Sequence, residues 1–139
     1  MHDMTKFYIN GEWVEPVIPN KMEVHNPSSD EVCGHISLGS AADVDKAVIA
    51  ANNAFSTFSA TTKKDRLELL QSILNILIER NEEIASAIME EMGAPWELAL
   101  NAQAESGPQQ FSAIIDVLKN FNFEEMVGTT CVAKEAIGT

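Results

Sequence analysis

Apolar residues recur at helical spacing through most of the chain between residues 40 and 118, and this repetition limits the folds that it can adopt. An apolar residue every three or four positions gives a helix one apolar face. The stripes are Val44, Ala47, Val48, Ala51, Phe55 and Phe58; Leu67, Leu70, Ile73, Leu74 and Leu77; and Ile84, Ile88 and Met92. Such faces pack on one another as a bundle or on a sheet, and the sequence contains few strands.

Local signals mark the ends of these helices. Ser40 with Asp43, and Thr62 with Asp65, are variants of the capping box, in which two side chains satisfy free backbone donors. Gly93 suits the left-handed residue that follows a helix end. We therefore expect helices to begin after residues 40 and 62 and a third helix to stop before Gly93.

Two prolines divide the region that follows. Pro95 fits the first turn of the next helix. Pro108, in "SGPQQ", lacks the amide that a helical turn needs, so we expect an interruption there. The apolar residues Phe111, Ile114, Ile115 and Leu118 predict that the helix then resumes.

Three segments have the character of short strands. "KFYINGEWV" predicts a hairpin, because Asn10-Gly11 suits the positive φ angles of a tight turn. "MEVHNPSSDEVCGHISLGS" predicts two strands around a turn from Asn26 to Asp30. From Phe121 the pattern is again β-like, with Gly128 between "FNFEEMV" and "TTCVAKEAIG". The ending "VAKEAIGT" is small and apolar, unlike a frayed polar tail, and we expect it to be the last part of a strand that leads into a core.

The chain is strongly acidic. Its 139 residues include 21 acidic and 9 basic side chains, for a formal net charge of −12. The densest basic stretch is Lys63, Lys64 and Arg66, and Asp65 breaks it. Such a surface repels phosphate backbones and anionic lipids, so we expect no nucleic-acid partner and no membrane partner.

Targeting signals also bear on location. No run approaches the roughly 20 apolar residues of a membrane span, and "MHDMTKFYINGEW" lacks the charged lead and apolar stretch of a secretory signal. The two cysteines, Cys33 and Cys131, lie far apart and form no metal-like cluster. We expect a cytoplasmic protein with reduced thiols.

Motifs of catalytic or cofactor chemistry are few. Cys33 and His35 lie two residues apart and therefore on one face of a strand. We favour a packing role for this pair over a nucleophile–base dyad. The pairs Glu90-Glu91 and Glu124-Glu125 are read as solvated faces rather than acid–base machinery. No glycine-rich phosphate loop is present. We therefore predict neither a catalytic nor a cofactor-binding residue.

The order of several segments resembles the N-terminal part of the NAD(P)-dependent aldehyde dehydrogenase family. The segments are "FYINGEWV", "VHNPSSDEV", "ISLGSAADVDKAVIAANNAFSTFSATTKKDRLELLQSI", "EEMGAP" and "AKEAIGT". The resemblance implies an α/β family fold, of which this chain would be a mainly helical N-terminal fragment with short β-hairpins. Residues 1–120 would belong to the NAD(P)-binding domain, and residues 121–139 would begin an oligomerisation-type hairpin.

The family reaction oxidises an aldehyde to a carboxylic acid with NAD or NADP. In the family, the nucleophilic cysteine, the general-base glutamate and the glycine-rich turn lie beyond the position of Thr139, so the resemblance implies that this chain alone is inactive and binds the dinucleotide weakly at most. Its partners would be a small aldehyde in the intact enzyme, further copies in a homo-oligomer, or the remainder of the enzyme.

The resemblance also implies a monovalent-cation site in some family members. It would use backbone carbonyls before the Asn-Pro turn and an acid before the "xGxP" turn, which correspond to Val24, His25 and Glu91. An ordinary helix-end role for Glu91 is the alternative. Two positions depart from the family pattern: Asp30 replaces a glycine that aspartate can mimic, and Ala136 replaces a proline.

Three hypotheses follow. The chain is an inactive aldehyde dehydrogenase fragment, or an interaction module that associates with a complementing piece or a full-length subunit, or a small domain that has repacked its helices into a bundle. Exposed apolar stripes would favour the first two hypotheses, and cooperative unfolding of the isolated chain would favour the third.

Overall fold

The structure, a computed structural model, describes residues 2–133. The expectations for the ending "VAKEAIGT", including Ala136, lie largely outside these residues. The strands are β1 (His2–Met4), β2 (Phe7–Ile9), β3 (Glu12–Val14), β4 (Lys21–His25), β5 (Val32–Ser37), β6 (Glu124–Val127) and β7 (Thr130–Ala133). The helices are α1 (Ala41–Phe58), α2 (Lys63–Glu79), α3 (Asn81–Met92), α4 (Trp96–Leu98) and α5 (Ser106–Asn120), with a π-helical segment (Ala99–Ala104) between α4 and α5.

The first hairpin is formed as predicted. Strands β2 and β3 pair antiparallel, and the turn residues Asn10 and Gly11 have φ angles of 55° and 82°. Both angles are positive, as the tight two-residue hairpin turn requires. Tyr8 and Trp13 are cross-strand partners whose ring centroids lie 5.2 Å apart.

The second β-unit is confirmed and gains a strand that the sequence did not predict. Strand β4 pairs antiparallel with β5, and β1 pairs parallel with the other edge of β5, so the order is β1-β5-β4. The parallel register places Asp3 beside His35, and their side chains are 2.9 Å apart. Three residues are too few to show a strand period, which is why β1 was missed.

Both predicted capping boxes are present. At α2, the amide of Asp65 donates to Thr62 Oγ1 (3.2 Å) and the amide of Thr62 donates to Asp65 Oδ2 (2.9 Å). At α1, the amide and the hydroxyl of Ser40 donate to Asp43 Oδ2 at 2.8 and 2.7 Å. Gly93 follows α3 with a φ of 65°, as its position at a helix end predicts.

The prediction that Pro108 interrupts a helix was wrong about the position. The irregular segment is the π-helix Ala99–Ala104, and α5 already begins at Ser106. Pro108 is therefore in the first turn of α5, where its missing amide would have had no partner within the helix. Pro108 is buried there.

Few apolar side chains are buried. One cluster joins α3 to the π-segment through Ala85, Ala99 and Ala104, and Leu74 and Ile115 are buried on α2 and α5, which pack together. No described side chain larger than alanine is less than 2% exposed. The described helices thus share a thin core, in which alanines predominate.

Helix α1 has an apolar face that is largely exposed. Its apolar residues Val44, Val48 and Phe58 are 59, 49 and 52% exposed. The chain as a whole exposes 10062 Å² for a mass of 15.2 kDa. A folded monomer of that mass exposes about 7,100 Å², so the excess is about 3,000 Å². None of the described helices is long and apolar enough to cross a membrane.

Candidate functional site

The turn between β4 and β5 is held by its own backbone and side chains. The side chain of Asn26 accepts a hydrogen bond from the amide of Ser28 (2.8 Å), and the carbonyl of Asn26 accepts one from the amide of Asp30 (2.8 Å). Asp30 has a φ of 61°, the left-handed conformation that glycine would adopt without strain. The expectation that aspartate preserves this turn is confirmed.

The same turn packs against the end of α3. Ser28 Oγ donates to the carbonyl of Gly93 at 3.1 Å. A Cβ atom at Gly93 would lie 2.6 Å from Ser28 Oγ and 2.9 Å from Pro27 Cγ. Glycine is therefore required at residue 93 both for its positive φ and for the close approach of the turn. This junction holds the β4–β5 turn against the end of α3.

Beside this junction lies a small cavity of about 30 Å³. Val24 from β4, Cys33 and His35 from β5, and Glu90 and Glu91 from α3 contribute to its wall. A volume of this size accommodates about one water-sized particle. The structure thus brings Val24 and Glu91, two residues of the expected cation site, to a single cavity.

His25, the third residue of that expectation, has a different environment. It lies at the end of β4, with an exposed side chain. Its Nε2 is 3.3 Å from Glu23 Oε2, and its Nδ1 is 3.5 Å from the carbonyl oxygen of Asp30. The His25 side chain therefore belongs to the turn rather than to the cavity wall. In the described part of the chain, no group of three or more His, Cys, Asp or Glu side chains is arranged to hold a metal ion.

Cys33 and His35 share the cavity but contact different partners. Cys33 Sγ donates to the carbonyl of Val24 at 3.2 Å, and His35 Nδ1 lies 2.9 Å from Asp3 Oδ1. A cysteine nucleophile needs a base within hydrogen-bond reach. Cys33 donates to a backbone carbonyl and His35 pairs with Asp3, so the two side chains do not form a dyad. Cys131 is exposed on β7.

The start of α3, at the end away from the cavity, carries a charge pair. Arg80 Nη2 lies 2.8 Å from Glu83 Oε2. The hydrogen bond from Arg80 and its positive charge lower the pKa of Glu83, and the same pair raises the pKa of Arg80. Both groups are exposed, so solvent weakens the interaction. The pair marks an ordinary helix start.

Two basic residues on α2 make contacts that the sequence did not predict. Lys63 Nζ donates to the carbonyls of Lys119 (2.6 Å) and Phe121 (3.1 Å) at the end of α5. Arg66 donates to Ser59 O and to Thr61 Oγ1, both at 2.9 Å. The sequence shows two basic residues three positions apart, but it does not indicate which groups they contact in the fold.

Comparison with known proteins identifies the family. The aldehyde dehydrogenase family model matches residues 13–139, which is most of the chain. The chain belongs to the aldehyde dehydrogenase family. The resemblance in the order of its segments is thereby confirmed.

Relatives share substantial sequence identity with this chain. A protein described as a putative aldehyde dehydrogenase from Staphylococcus aureus (strain bovine RF122 / ET3-1) is 46% identical over 138 residues, which are 99% of this chain and 29% of the relative. A 3-succinoylsemialdehyde-pyridine dehydrogenase from a Pseudomonas species is 45% identical over 139 residues, again 29% of its length. The chain therefore spans less than a third of these relatives.

Solved structures give the same result for the fold. An aldehyde dehydrogenase from Bartonella henselae matches with a TM-score of 0.90 and 42% identity, over 93% of this chain and 27% of that protein. A mutant of aldehyde dehydrogenase C from Pseudomonas syringae, solved with NAD⁺ and octanal, matches with a TM-score of 0.90 and 39% identity over the same shares. The short strands and helices are thus those of the aldehyde dehydrogenase fold.

Proposed function

We propose that this chain works as the N-terminal part of an NAD(P)-dependent aldehyde dehydrogenase, which oxidises an aldehyde to a carboxylic acid, and that it has no activity alone. The observation that carries the proposal is the uncovered apolar stripe of α1. The total exposed area exceeds that of a folded monomer of this mass by about 3,000 Å², and a permanent interface buries about 1,000–2,500 Å² on each partner. We infer that the partner is the remaining part of an aldehyde dehydrogenase, because the chain belongs to that family and matches 29% of the length of its relatives.

Under this proposal the reaction chemistry belongs to the other part of the enzyme. Residues 1–120 would form part of the NAD(P)-binding domain and residues 121–139 the start of an oligomerisation hairpin. NAD⁺ and an aldehyde occur together in the structure of the Pseudomonas syringae relative. Cys33 does not suit the role of a catalytic cysteine, since its thiol donates to the carbonyl of Val24 rather than to a base.

The first experiment measures activity directly. The purified chain is incubated with NAD⁺ or NADP⁺ and a series of aldehydes that includes octanal, and formation of the reduced nicotinamide is followed. We expect no signal above buffer. Sustained turnover that co-elutes with the 139-residue chain, free of any full-length dehydrogenase, would contradict the proposal.

The second experiment supplies the missing part. The chain is co-expressed with the region of the Staphylococcus aureus relative that it does not match, and both co-purification and dehydrogenase activity are measured. We expect the two pieces to associate, because the apolar faces of the helices gain a cover. If the pieces remain separate under all expression conditions, the proposed role as an N-terminal part is wrong.

A matched pair of variants tests which face is covered. Val48→Asp places a charge on the exposed apolar stripe of α1, and Asn53→Asp places the same charge on the opposite face of that helix. Burial of an unpaired carboxylate is costly. We expect Val48→Asp to abolish co-purification and Asn53→Asp to preserve it.

A second candidate function is a non-catalytic module that binds an intact dehydrogenase subunit. The observation that favours it is the hairpin β6–β7, whose residues are all exposed. A hairpin of two strands gains stability when it pairs or packs with another chain. Co-purification with a full-length subunit, without association with the complementary piece, would favour this function over the first.

We also propose that Val24, His25 and Glu91 contribute to a monovalent-cation site, through the carbonyls of the first two residues and the carboxylate of the third. The support is the common cavity of Val24 and Glu91. Thermal unfolding is compared in potassium chloride and in N-methyl-D-glucamine chloride at equal ionic strength. Potassium is expected to raise the midpoint for the native chain and for the control Glu82→Gln, but not for Glu91→Gln. Equal shifts of the midpoint in all three proteins would contradict the proposed cation site.

A further inference from the structure

The first turn of α2 touches two other parts of the chain, the end of α1 and the stretch that joins α5 to β6. Lys63 and Arg66 lie three residues apart, which places them on one face of that helix. Lys63 reaches the end of α5 and Arg66 reaches the end of α1 and the segment before β6. The end of α1 and the end of α5 with the residues that follow it, which are distant from each other in sequence, therefore meet at two basic side chains.

Lys63 stabilises the end of α5. Its ammonium group donates to the carbonyls of Lys119 and Phe121, at 2.6 and 3.1 Å. The last carbonyls of a helix have no partner within it and carry its partial negative charge. A cation at this point satisfies both needs, and it fixes where α5 stops and the chain turns toward the hairpin.

Arg66 contacts the end of α1 on one side and the segment before β6 on the other. Its Nη2 donates to the carbonyl of Ser59, and its guanidinium carbon lies 5.8 Å from the ring centroid of Phe58 and 5.9 Å from that of Phe123. Both rings are within the range of a cation–π contact. Phe123 in turn meets the ring of Phe121 edge-on, with centroids 4.9 Å apart.

We propose that Lys63 and Arg66 form a clamp that fixes the direction in which the hairpin β6–β7 leaves the helices. The hairpin begins at Glu124, directly after Phe123, and its own residues are exposed. An isolated two-stranded hairpin is marginally stable in water. The contacts of Arg66 with Phe123 provide an anchor at its base, so that the hairpin is presented to a partner in one orientation.

The clamp needs an arginine at residue 66. A guanidinium group is planar and donates in two directions while it stacks on aromatic rings. A lysine keeps the charge but loses the fork that reaches Ser59 and Thr61 together. The conservative substitution therefore separates the effect of charge from that of geometry. The clamp would exist whether or not the chain completes a dehydrogenase.

The experiment measures the direction of the hairpin by the distance between two spin labels. Cys131 on β7 carries one label and Gln71→Cys on α2 carries the other, in a Cys33→Ser background of the full 139-residue chain. Circular dichroism of each variant establishes that the helices are intact. The background protein is expected to give one narrow distance distribution.

Arg66→Ala and Arg66→Lys are expected to broaden this distribution by about twofold, because an unanchored hairpin samples several directions. The control Lys64→Ala removes the neighbouring exposed cation, whose partner is Glu68 one turn along the same helix, and is expected to leave the width unchanged. A distribution for Arg66→Ala as narrow as that of the background protein overturns the clamp.

A second measurement covers the possibility that Arg66 variants fold poorly. Lys63→Met removes only the cation at the end of α5, and hydrogen exchange is followed at the amides of residues 118–133. Faster exchange there, with unchanged exchange in α3, is the expected result. If the amides of residues 118–133 exchange as slowly as in the native protein, the proposed role of Lys63 is wrong.

Discussion

Helices α1 and α3 are both amphipathic, but the apolar face of α3 is covered around Ala85, whereas that of α1 is largely exposed. Ala85 of α3 is fully buried against the π-segment, and Gly93 at its end receives the turn that contains Ser28. On α1, Val44 and Val48 remain 59 and 49% exposed. The same sequence pattern therefore leads to two outcomes, and the difference lies in what the chain itself supplies as a neighbour.

The contrast assigns two roles to the apolar residues of this chain: some stabilise its own fold, and others are available for association. The region around α3 holds the chain's own fold, because Ala85 packs on Ala99 and Ala104 of the π-segment. The stripe of α1 contributes little to that fold in isolation. Substitutions at α3 should therefore change the stability of the chain, whereas substitutions on α1 should change association.

The largest effect is expected at the junction of α3 with the turn. Gly93→Val introduces a branched side chain at a positive φ and against Ser28 and Pro27, and it should lower the free energy of unfolding by about 3 kcal/mol. Urea unfolding followed by circular dichroism measures the loss. The control is Gly107→Ala in α5, where a Cβ meets nothing within 4 Å. A Gly93 variant as stable as the native chain would mean that the turn does not pack there.

A smaller loss is expected from the seam between α2 and α5. Leu74 is 9% exposed, so Leu74→Ala should cost about 2 kcal/mol. On the same helix, Ile78 is 58% exposed, and Ile78→Ala should cost at most about 0.5 kcal/mol. Unfolding midpoints of the two variants compare a covered with an uncovered position. Equal losses would show that α2 has no preferred inner face.

The next effect depends on pH and concerns the start of α1. Hydrogen bonds from Ser40 and from the amide of Val17 lower the pKa of Asp43 in the folded chain. Because the folded pKa is depressed, the carboxylate stabilises the fold fully above the ordinary aspartate pKa of about 3.9, and this stabilisation is lost as the pH falls toward the folded value.

Asp43→Asn should therefore be less stable than the native chain at neutral pH, and the difference should shrink in acid. Asp45→Asn, at an exposed position of the same helix, serves as the charge-matched control. Unfolding curves of the three proteins are compared at neutral and at acidic pH. A difference that grows in acid would contradict the assigned role of Asp43.

The smallest effect is expected on the open face of α1. Val48→Asp should change the stability of the isolated chain by no more than about 0.5 kcal/mol, because the residue is half exposed. Its expected effect on association is described above. A large loss of stability in the isolated chain would show that α1 is already covered, and the contrast with α3 would disappear.

Features encoded by neighbouring residues were predictable from the sequence. The capping acids Asp43 and Asp65 and the turn at Asn10-Gly11 depend on interactions over three or four positions, and the structure confirms them. Strand β1 depends on a partner about 30 residues away and has only three residues. Nothing in so short a segment distinguishes a parallel strand from a loop.

The error at Pro108 has a related cause. A proline forbids a helix only where its amide would be needed, and the first turn does not need it. Where α5 begins is set by the π-segment, which packs on α3 through Ala99 and Ala104. Such packing is a tertiary effect, so the sequence alone placed the interruption a few residues too late.

The cation site of Val24, His25 and Glu91 was implied by the family resemblance and stays a prediction, although the fold brings Val24 and Glu91 to one cavity. The contacts around that cavity were not predictable from the sequence. The sequence did not indicate that Cys33 would donate to the Val24 carbonyl or that Asp3 would face His35. These contacts arise between strands, where register rather than residue spacing decides the neighbours.

The thin core has a thermal consequence. The increase in heat capacity on unfolding follows the apolar area that becomes exposed, and an ordinary domain shows about 12–15 cal/mol/K per residue. Here much of that area already meets water in the folded chain. A calorimetric scan of the isolated chain should therefore show a broad endotherm with an unusually small step in the baseline, and the step should grow once a partner covers α1.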